Sequence, residues 1–431
     1  MPTTEPQLLP ETLDPPESPV ALYHRAADLA QPVATMTPNN TNRDVIEYFR
    51  EHPAQTCLAV VEDEIPIGLI NRNIFLTGFS LPYRKEVYER KSCIAFMDKT
   101  PLVVDGELPL PDLGRLAVDA GSKVLQDGFI VARQGRFQGL GSGIDLLRAL
   151  GQLEAERNRV IRESIDYAQI IQGAVLRTSR SELESAGLAD QHLLWQPRDA
   201  VGGDAFFARR IGRDGRDGLF LALMDCTGHG VPGAFTAMLM TSFLGHVLDL
   251  VDPWDPGQVL AGVNRRVKET LGQQHRGPET SSFETMDGQM AADEGMDAVC
   301  LWIDRAGGGS AFSGANHSLW LFTPGAAEPE EVKGDRIGVG YLATPDQQTW
   351  TTRSLASRPG IVILATTDGI TDQIGGPRRI AFGRRRLWNA LGFGERERPL
   401  AARLEDAYAA MEHYQGAEQR RDDVCLLAVK L

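Results

Sequence analysis

At four places an aspartate stands where a run of β-forming residues stops or starts, and chemistry is expected there. Asp204 closes Val201-Gly-Gly-Asp204. Asp225 ends the apolar run Leu219–Met224 and opens Asp225-Cys-Thr-Gly-His-Gly230. Asp368 ends Ile361–Thr367 and precedes Gly369, while Asp422 and Asp423 come directly before the run Val424–Val429. An acid at a buried strand end is unfavourable unless a cation or hydrogen bonds compensate it. Several such ends meeting at one edge of a sandwich make a cage of oxygen ligands, which suits Mg²⁺ or Mn²⁺ rather than zinc. The adjoining glycines let main-chain carbonyls and ion-bound waters approach closely. One Asp-Gly after a strand is an ordinary turn; the signal lies in the set and its order.

Five segments carry a resemblance: Gln196-Pro-Arg-Asp-Ala-Val-Gly-Gly-Asp204, Asp225-Cys-Thr-Gly-His-Gly-Val-Pro-Gly-Ala-Phe235, Gly295-Met-Asp297, Thr367-Asp-Gly-Ile-Thr-Asp372 and Arg421-Asp-Asp-Val424. From about Tyr167 to Leu431 the chain resembles the SpoIIE/RsbU/SiaA-type branch of the metal-dependent PPM serine/threonine phosphatases. Asp166–Gln172 is similar to the helix that precedes the domain in that family. The resemblance implies that Asp225 bridges two ions, with Asp204 and the main-chain carbonyl of Cys226 serving one. Asp368 and Asp422 would hold the other, Asp423 being the competing choice. It also implies that a water shared by the ions attacks phosphorus in line, with no protein nucleophile.

His229 is a candidate proton donor to the leaving oxygen. Its spacing from Asp225 is wider than in the family's eukaryotic relatives, and a loop-structuring role competes. Asp297 stands at a strand start where the family has an aspartate, as an extra ion ligand or a structural residue. The Cys226 thiol has no base beside it and is expected to be inert. Arg198 and Asp199 are expected to shape the first motif, and Asp372 to steady the turn after Asp368. The implied substrate is a phosphoserine or phosphothreonine on a STAS-domain anti-anti-sigma factor or similar partner-switching protein.

Positioning these acids needs strands, and the runs Leu219–Met224, Ala298–Ile303, Leu319–Phe322, Ile361–Ala365 and Val424–Val429 supply them. Helical patterns cover Gly233–Val251, Pro256–Leu271, Arg384–Ala390 and Leu400–Tyr414. Strands and helices do not alternate as in a parallel fold, so an α+β class is expected: a C-terminal PPM-type β-sandwich flanked by helices over 188–431. Gly272–Gly295 is polar and reads as a mobile loop.

Ahead of it, 146–187 carries a helical stripe (Leu146, Leu150, Leu153, Val160, Ile161, Ile165, Ala168, Ile171, Val175) near heptad spacing. That predicts a linker helix, read as a short parallel coiled coil, with a single packed helix as the alternative. In 21–145, Leu58–Val61 with Ile65–Ile70 and Phe129–Ala132 with Phe137–Leu140 form two predicted hairpins. Each has a Gly-Leu pair near its end (Gly68-Leu69, Gly139-Leu140) and feeds a helical stretch. The repeat resembles a tandem CBS (cystathionine β-synthase) pair, an α/β regulatory unit that implies dimerisation and an adenine nucleotide ligand, with plain dimerisation as the alternative. Gly139-Leu-Gly-Ser-Gly143 lacks the dinucleotide and Walker patterns and reads as a turn.

A chain of 431 residues suggests two or three domains. Its 44 basic and 58 acidic residues leave a formal charge of −14, which disfavours nucleic acid and anionic membranes. No apolar run reaches the roughly 18–20 residues of a bilayer span. Met1–Val20, with six prolines and neither Lys nor Arg, reads as a disordered lead and not a signal peptide. Five scattered cysteines fit reduced thiols in a cytoplasm. Two rivals to a protein phosphatase remain: a non-catalytic signalling adaptor with a degenerate domain, and a hydrolase of small phosphate esters.

Overall fold

The computed structural model describes residues 23–274, 293–305, 309–324, 326, 328–355, 358–393 and 398–431. The expected disordered lead Met1–Val20 and most of the expected loop Gly272–Gly295 lie outside them. The chain divides into two compact units, Met1–Ile161 and Arg162–Leu431.

In the N-terminal unit the two expected hairpins form, Cys57–Glu62 with Ile65–Asn71 and Phe129–Arg133 with Arg136–Gly141. Each turns on two consecutive left-handed residues, Asp63-Glu64 and Gln134-Gly135, the backbone that matches strand twist in a two-residue loop. Each also carries a bulge at the matching position, Val60/Val61 and Val131/Ala132. The duplication extends further. Leu69 exchanges both main-chain hydrogen bonds with Asp98, and Leu140 does the same with Gln31. Gly68 and Gly139 make that approach possible: a Cβ there would lie 2.7 Å from the Asp98 oxygen and 2.6 Å from the Gln31 oxygen. Cys57, Ala59 and Leu69 of the first hairpin share a small core with Ile130 and Leu140 of the second. Each hairpin leads into a helix, Arg72–Phe79 and Gly143–Glu184.

The C-terminal unit is a four-layer α/β/β/α sandwich. One sheet has the order Arg353–Leu355, Ser310–Ala315, Met296–Asp304, Arg216–Cys226, Asp204–Arg213. The other runs Glu330–Val332, Leu319–Phe322, Val362–Thr366, Val424–Lys430, Asp190–Gln196. All neighbours in both sheets are antiparallel. Alternate residues meet between the sheets: Leu221, Leu223, Val299 and Leu301 share a core with Ile363, Ala365, Leu427 and Val429. Helices Gly230–Leu250 and Pro256–Leu271 cover the outside of the first sheet. Helices Gly383–Leu391 and Leu400–Gln415 bury the other face of the second through Leu387, Leu404, Ala407 and Met411. Because both faces of each sheet are covered, the central strands read as unbroken apolar runs. This is the α+β sandwich expected.

Two elements differ from the reading of the sequence. Helix Gly230–Leu250 is, by length and composition, apolar enough to cross a membrane, although no span was expected. Ala, Met, Leu, Phe and Val raise its average, while glycines, threonines and a histidine interrupt the run. Ala237, Met240, Leu244 and Val247 all enter the sandwich core, the behaviour of a core helix. The linker helix, Gly143–Glu184, has 42 residues, as many as the expected segment, but begins and ends three residues earlier, and the boundary between units falls inside it. Its Leu146 joins the N-terminal core, and Leu176 and Leu183 join the C-terminal one. Between them Val160 and Ile161 stand about half exposed, at 51% and 52%.

Candidate active site

Register brings the acids together. In the first sheet Asp204 lies opposite Asp225, and Asp225 lies opposite Asp297, so three aspartates stand in a row across adjacent strands. In the second sheet Asp368 follows the strand ending at Thr366, and Asp422-Asp423 precede its neighbour starting at Val424. Thr367 joins the two sheets. Its hydroxyl donates to Asp204 Oδ2 at 2.6 Å, and it accepts from the Cys425 N–H at 3.0 Å. All six acids are thereby gathered at one end of the sandwich.

Glycines admit this crowding. A side chain on Gly203 would meet the Cys226 carbonyl at 2.9 Å and collide with that of Gly228. One on Gly369 would collide with the main-chain oxygen of Asp423. Gly228 and Gly230 take left-handed backbone, which turns the chain from the Asp225 strand into helix Gly230–Leu250.

The two members of the Asp422-Asp423 doublet have different surroundings. Asp423 is 2% exposed, and both its carboxylate oxygens are taken: Oδ1 by the Arg198 N–H and Oδ2 by the Gly203 N–H, each at 2.6 Å. Asp422 is exposed, and its Oδ1 accepts only from the Asp423 N–H at 2.9 Å. Asp297 Oδ1 accepts from Asn316 at 3.0 Å.

Electrostatics at this end are uncompensated. Among the described residues no Lys or Arg pairs with any of the six aspartates. Desolvation, then the charge of Asp225, pushes Asp204 well above the usual carboxylate range, against the Thr367 hydroxyl. Desolvation, then Asp368 and Asp422, lifts Asp225 to about 8. Asp368 rises to about 6, by desolvation and then by Asp372 and Asp422. Burial also raises Asp423 and Asp297, opposed in the first by the two N–H donors and in the second by Asn316. As the side chains stand, no three acidic, imidazole or thiol groups among the described residues close on a single point.

His229 caps helix Gly230–Leu250, its ring exposed and its Nδ1 3.3 Å from Asp199 Oδ2. The pair ties the Arg198–Gly203 loop to the turn after Asp225. The Cys226 thiol is buried and held protonated, by burial first and then by the charges of Asp225 and Asp204. The hydroxyl of Thr371 reaches back to the Asp368 carbonyl at 2.9 Å and to Asp372 at 3.2 Å. Thr367 and Asn316 were not legible as site residues, since a threonine at a strand end and an asparagine in a turn are ordinary. The glycines alone gave warning.

The family model described as Stage II sporulation protein E (SpoIIE) matches residues 215–431, just over half of the chain. The chain belongs to the SpoIIE family. Among solved structures, it is similar to the SiaA-PP2C domain of Pseudomonas aeruginosa, with 30% identity and a TM-score of 0.53 over 64% of this chain and 99% of that one. The RsbU and RsbW domains of a Mycobacterium tuberculosis protein match at 20% identity and TM-score 0.40, covering 56% of this chain and 59% of that one. The SpoIIE phosphatase domain of Bacillus subtilis, with a fragment of its regulatory domain, matches at 13% identity and TM-score 0.41, covering 56% and 63%. No curated protein matches the chain. The sandwich of this SpoIIE-family chain is therefore a serine/threonine phosphatase domain of the PP2C, or PPM, type.

Proposed function

We propose that this SpoIIE-family phosphatase hydrolyses a phosphoserine or phosphothreonine on a STAS-like partner-switching protein, with Mn²⁺ or Mg²⁺ held by the gathered aspartates. The observation that carries the reading is the pair Asp204 and Asp225 on adjacent strands, with Asp368 and Asp422 close enough to act on Asp225, and no Lys or Arg paired to them among the described residues. The donor set fits a hard divalent ion: the ligands are carboxylate and carbonyl oxygens, and their mutual repulsion calls for positive charge. Asp204, Asp225 and the Cys226 carbonyl would serve one ion, and Asp225, Asp368 and Asp422 the other. Asp422 is preferred to Asp423 because both oxygens of Asp423 already accept main-chain hydrogen bonds. Asp297, accepting from Asn316, is assigned to a structural role beside the row. When bound, such ions supply a nucleophilic water and neutralise phosphoryl charge.

The chain's own part is positioning. Thr367 fixes the direction of Asp204, and Asp423 clamps the Arg198–Gly203 loop. His229, exposed at the rim and paired to Asp199, is a loop organiser within reach of solvent rather than a buried acid. Preference for a STAS-like substrate rests on the resemblance of the aspartate motifs to the SpoIIE/RsbU/SiaA-type branch, and membership of the SpoIIE family is consistent with it. We assign 188–431 to the phosphatase, 146–187 to the linker and 21–145 to a CBS-like regulatory pair through which two copies associate. The doubled hairpin, with its matching bulges and glycines, supports that pair. No observation of the N-terminal unit selects an adenine nucleotide; titration with AMP and ATP tests that ligand.

The test is Mn²⁺-dependent phosphate release by Asp225→Asn and Asp368→Asn, with phosphoprotein, phosphopeptide and nucleotide as alternative substrates. Each variant should fold and lose turnover by roughly 10²-fold or more, the equivalent of several kcal/mol of charge stabilisation. Full turnover in either removes that residue from the site, and preference for the nucleotide favours a small-ester hydrolase.

A further inference from the structure

Gln172, inside the C-terminal unit, is a polar side chain only 2% exposed on the linker helix. Its amide makes a reciprocal pair with one residue. Nε2 donates to the Gly202 carbonyl at 2.7 Å, and Oε1 accepts from the Gly202 N–H at 3.3 Å. Both main-chain polar groups of Gly202 are thus consumed by a side chain imitating a neighbouring strand. The next residue, Gly203, is held from another direction by Asp423, and Asp204 follows. One turn earlier in the helix, Ala168 packs with Val201 and with Ala234 of helix Gly230–Leu250. A single face of the linker helix therefore touches both the segment that carries Asp204 and the helix that follows the Asp225 turn.

We infer that Gln172 is a positioning residue for the divalent-ion site, fixing the Gly202–Asp204 backbone so that Asp204 and the Cys226 carbonyl stand at the right separation. The inference rests on the metal-phosphatase reading above. Groups that orient ion ligands from behind commonly alter ion affinity 10–100-fold when removed. Buried, unpaired amide groups at Gly202 would also let the loop seek other partners. Leu176, Ser179 and Leu183, further along the same face, are buried and keep the helix seated without Gln172.

The test uses the full chain stripped of metal. Gln172→Met keeps volume and removes both hydrogen bonds; Gln172→Glu keeps an acceptor for the Gly202 N–H and loses the donor. Leu176→Ala loosens packing alone. Mn²⁺ affinity by titration calorimetry and melting temperature are measured on each, then kcat and KM on a phosphopeptide. The expected result is Mn²⁺ affinity about 10–100-fold weaker in Gln172→Met, intermediate in Gln172→Glu and unchanged in Leu176→Ala, with turnover recovering at high Mn²⁺ and KM unmoved. Wild-type affinity in both Gln172 variants overturns the inference, as does an equal loss in Leu176→Ala. If Gln172→Met does not fold, Gln172→Glu decides alone against the same control. Absence of Mn²⁺ binding by the wild-type chain defeats the underlying metal reading instead.

Discussion

Asp225 is the residue on which the electrostatics converge. It sits in the middle of the row and is raised to about 8 by desolvation and by the acids around it. In the metal-free protein this carboxyl keeps its proton at a pH where the unfolded chain, near 3.8, has lost it. The folded state then binds more protons than the unfolded one between about pH 4 and 8, so stability falls as pH rises through that window. An ion must displace the proton, so affinity moves oppositely and strengthens with pH. Mn²⁺ affinity is expected to rise by up to about tenfold per pH unit between pH 6 and 8 for one displaced proton, and to level off above. Calorimetry in two buffers of different ionisation enthalpy measures the released proton, and melting of EDTA-treated protein measures the stability slope. A flat affinity profile would mean that Asp225 is already ionised in the metal-free state.

At the scale of elements, the site is where five strand ends and one short helix meet, with glycines at the tightest approaches. Gly369 opens the helix Gly369–Asp372 directly against the Asp423 carbonyl. Substituting Gly369→Ala would force the Asp368 turn away from the Asp422-Asp423 strand end. A loss of about 1–3 kcal/mol in stability is expected from overpacking, together with a larger fall in turnover because Asp368 and Asp422 separate. Denaturant melts and phosphate release on the same preparation check both parts. Gly383→Ala, with a left-handed backbone but nothing within 4 Å of its new Cβ, serves as a control for strain alone.

For the whole molecule, the long helix is the covalent route between two units with separate cores. If the N-terminal pair regulates the phosphatase, the coupling is a free energy between two states that some ligand or partner binds unequally. Deleting Met1–Leu150 is expected to change turnover and oligomeric state while leaving Mn²⁺ binding in place. Sedimentation, calorimetry and phosphate release are the measurements. Unchanged rate and unchanged oligomeric state would argue against control through this helix.

The acids were legible in the sequence because each one stands at the end or start of a β-forming run, and several, such as Asp204 and Asp368, adjoin a glycine. The sandwich core was legible for the same reason, since strands covered on both faces are written as unbroken apolar runs such as Leu219–Met224 and Val424–Val429. Other features depend on residues far apart in the chain. Which aspartates face one another is set by register, and Asp204 meets Asp225 and Asp297 only once three strands are paired. The difference between Asp422 and Asp423 is invisible in a doublet, because main-chain donors at Arg198 and Gly203, more than 200 residues away, single out Asp423. Thr367 and Gln172 were silent for the same cause. A hydroxyl or an amide acquires its role from the group that folding places opposite it, and no spacing along the chain encodes that partner.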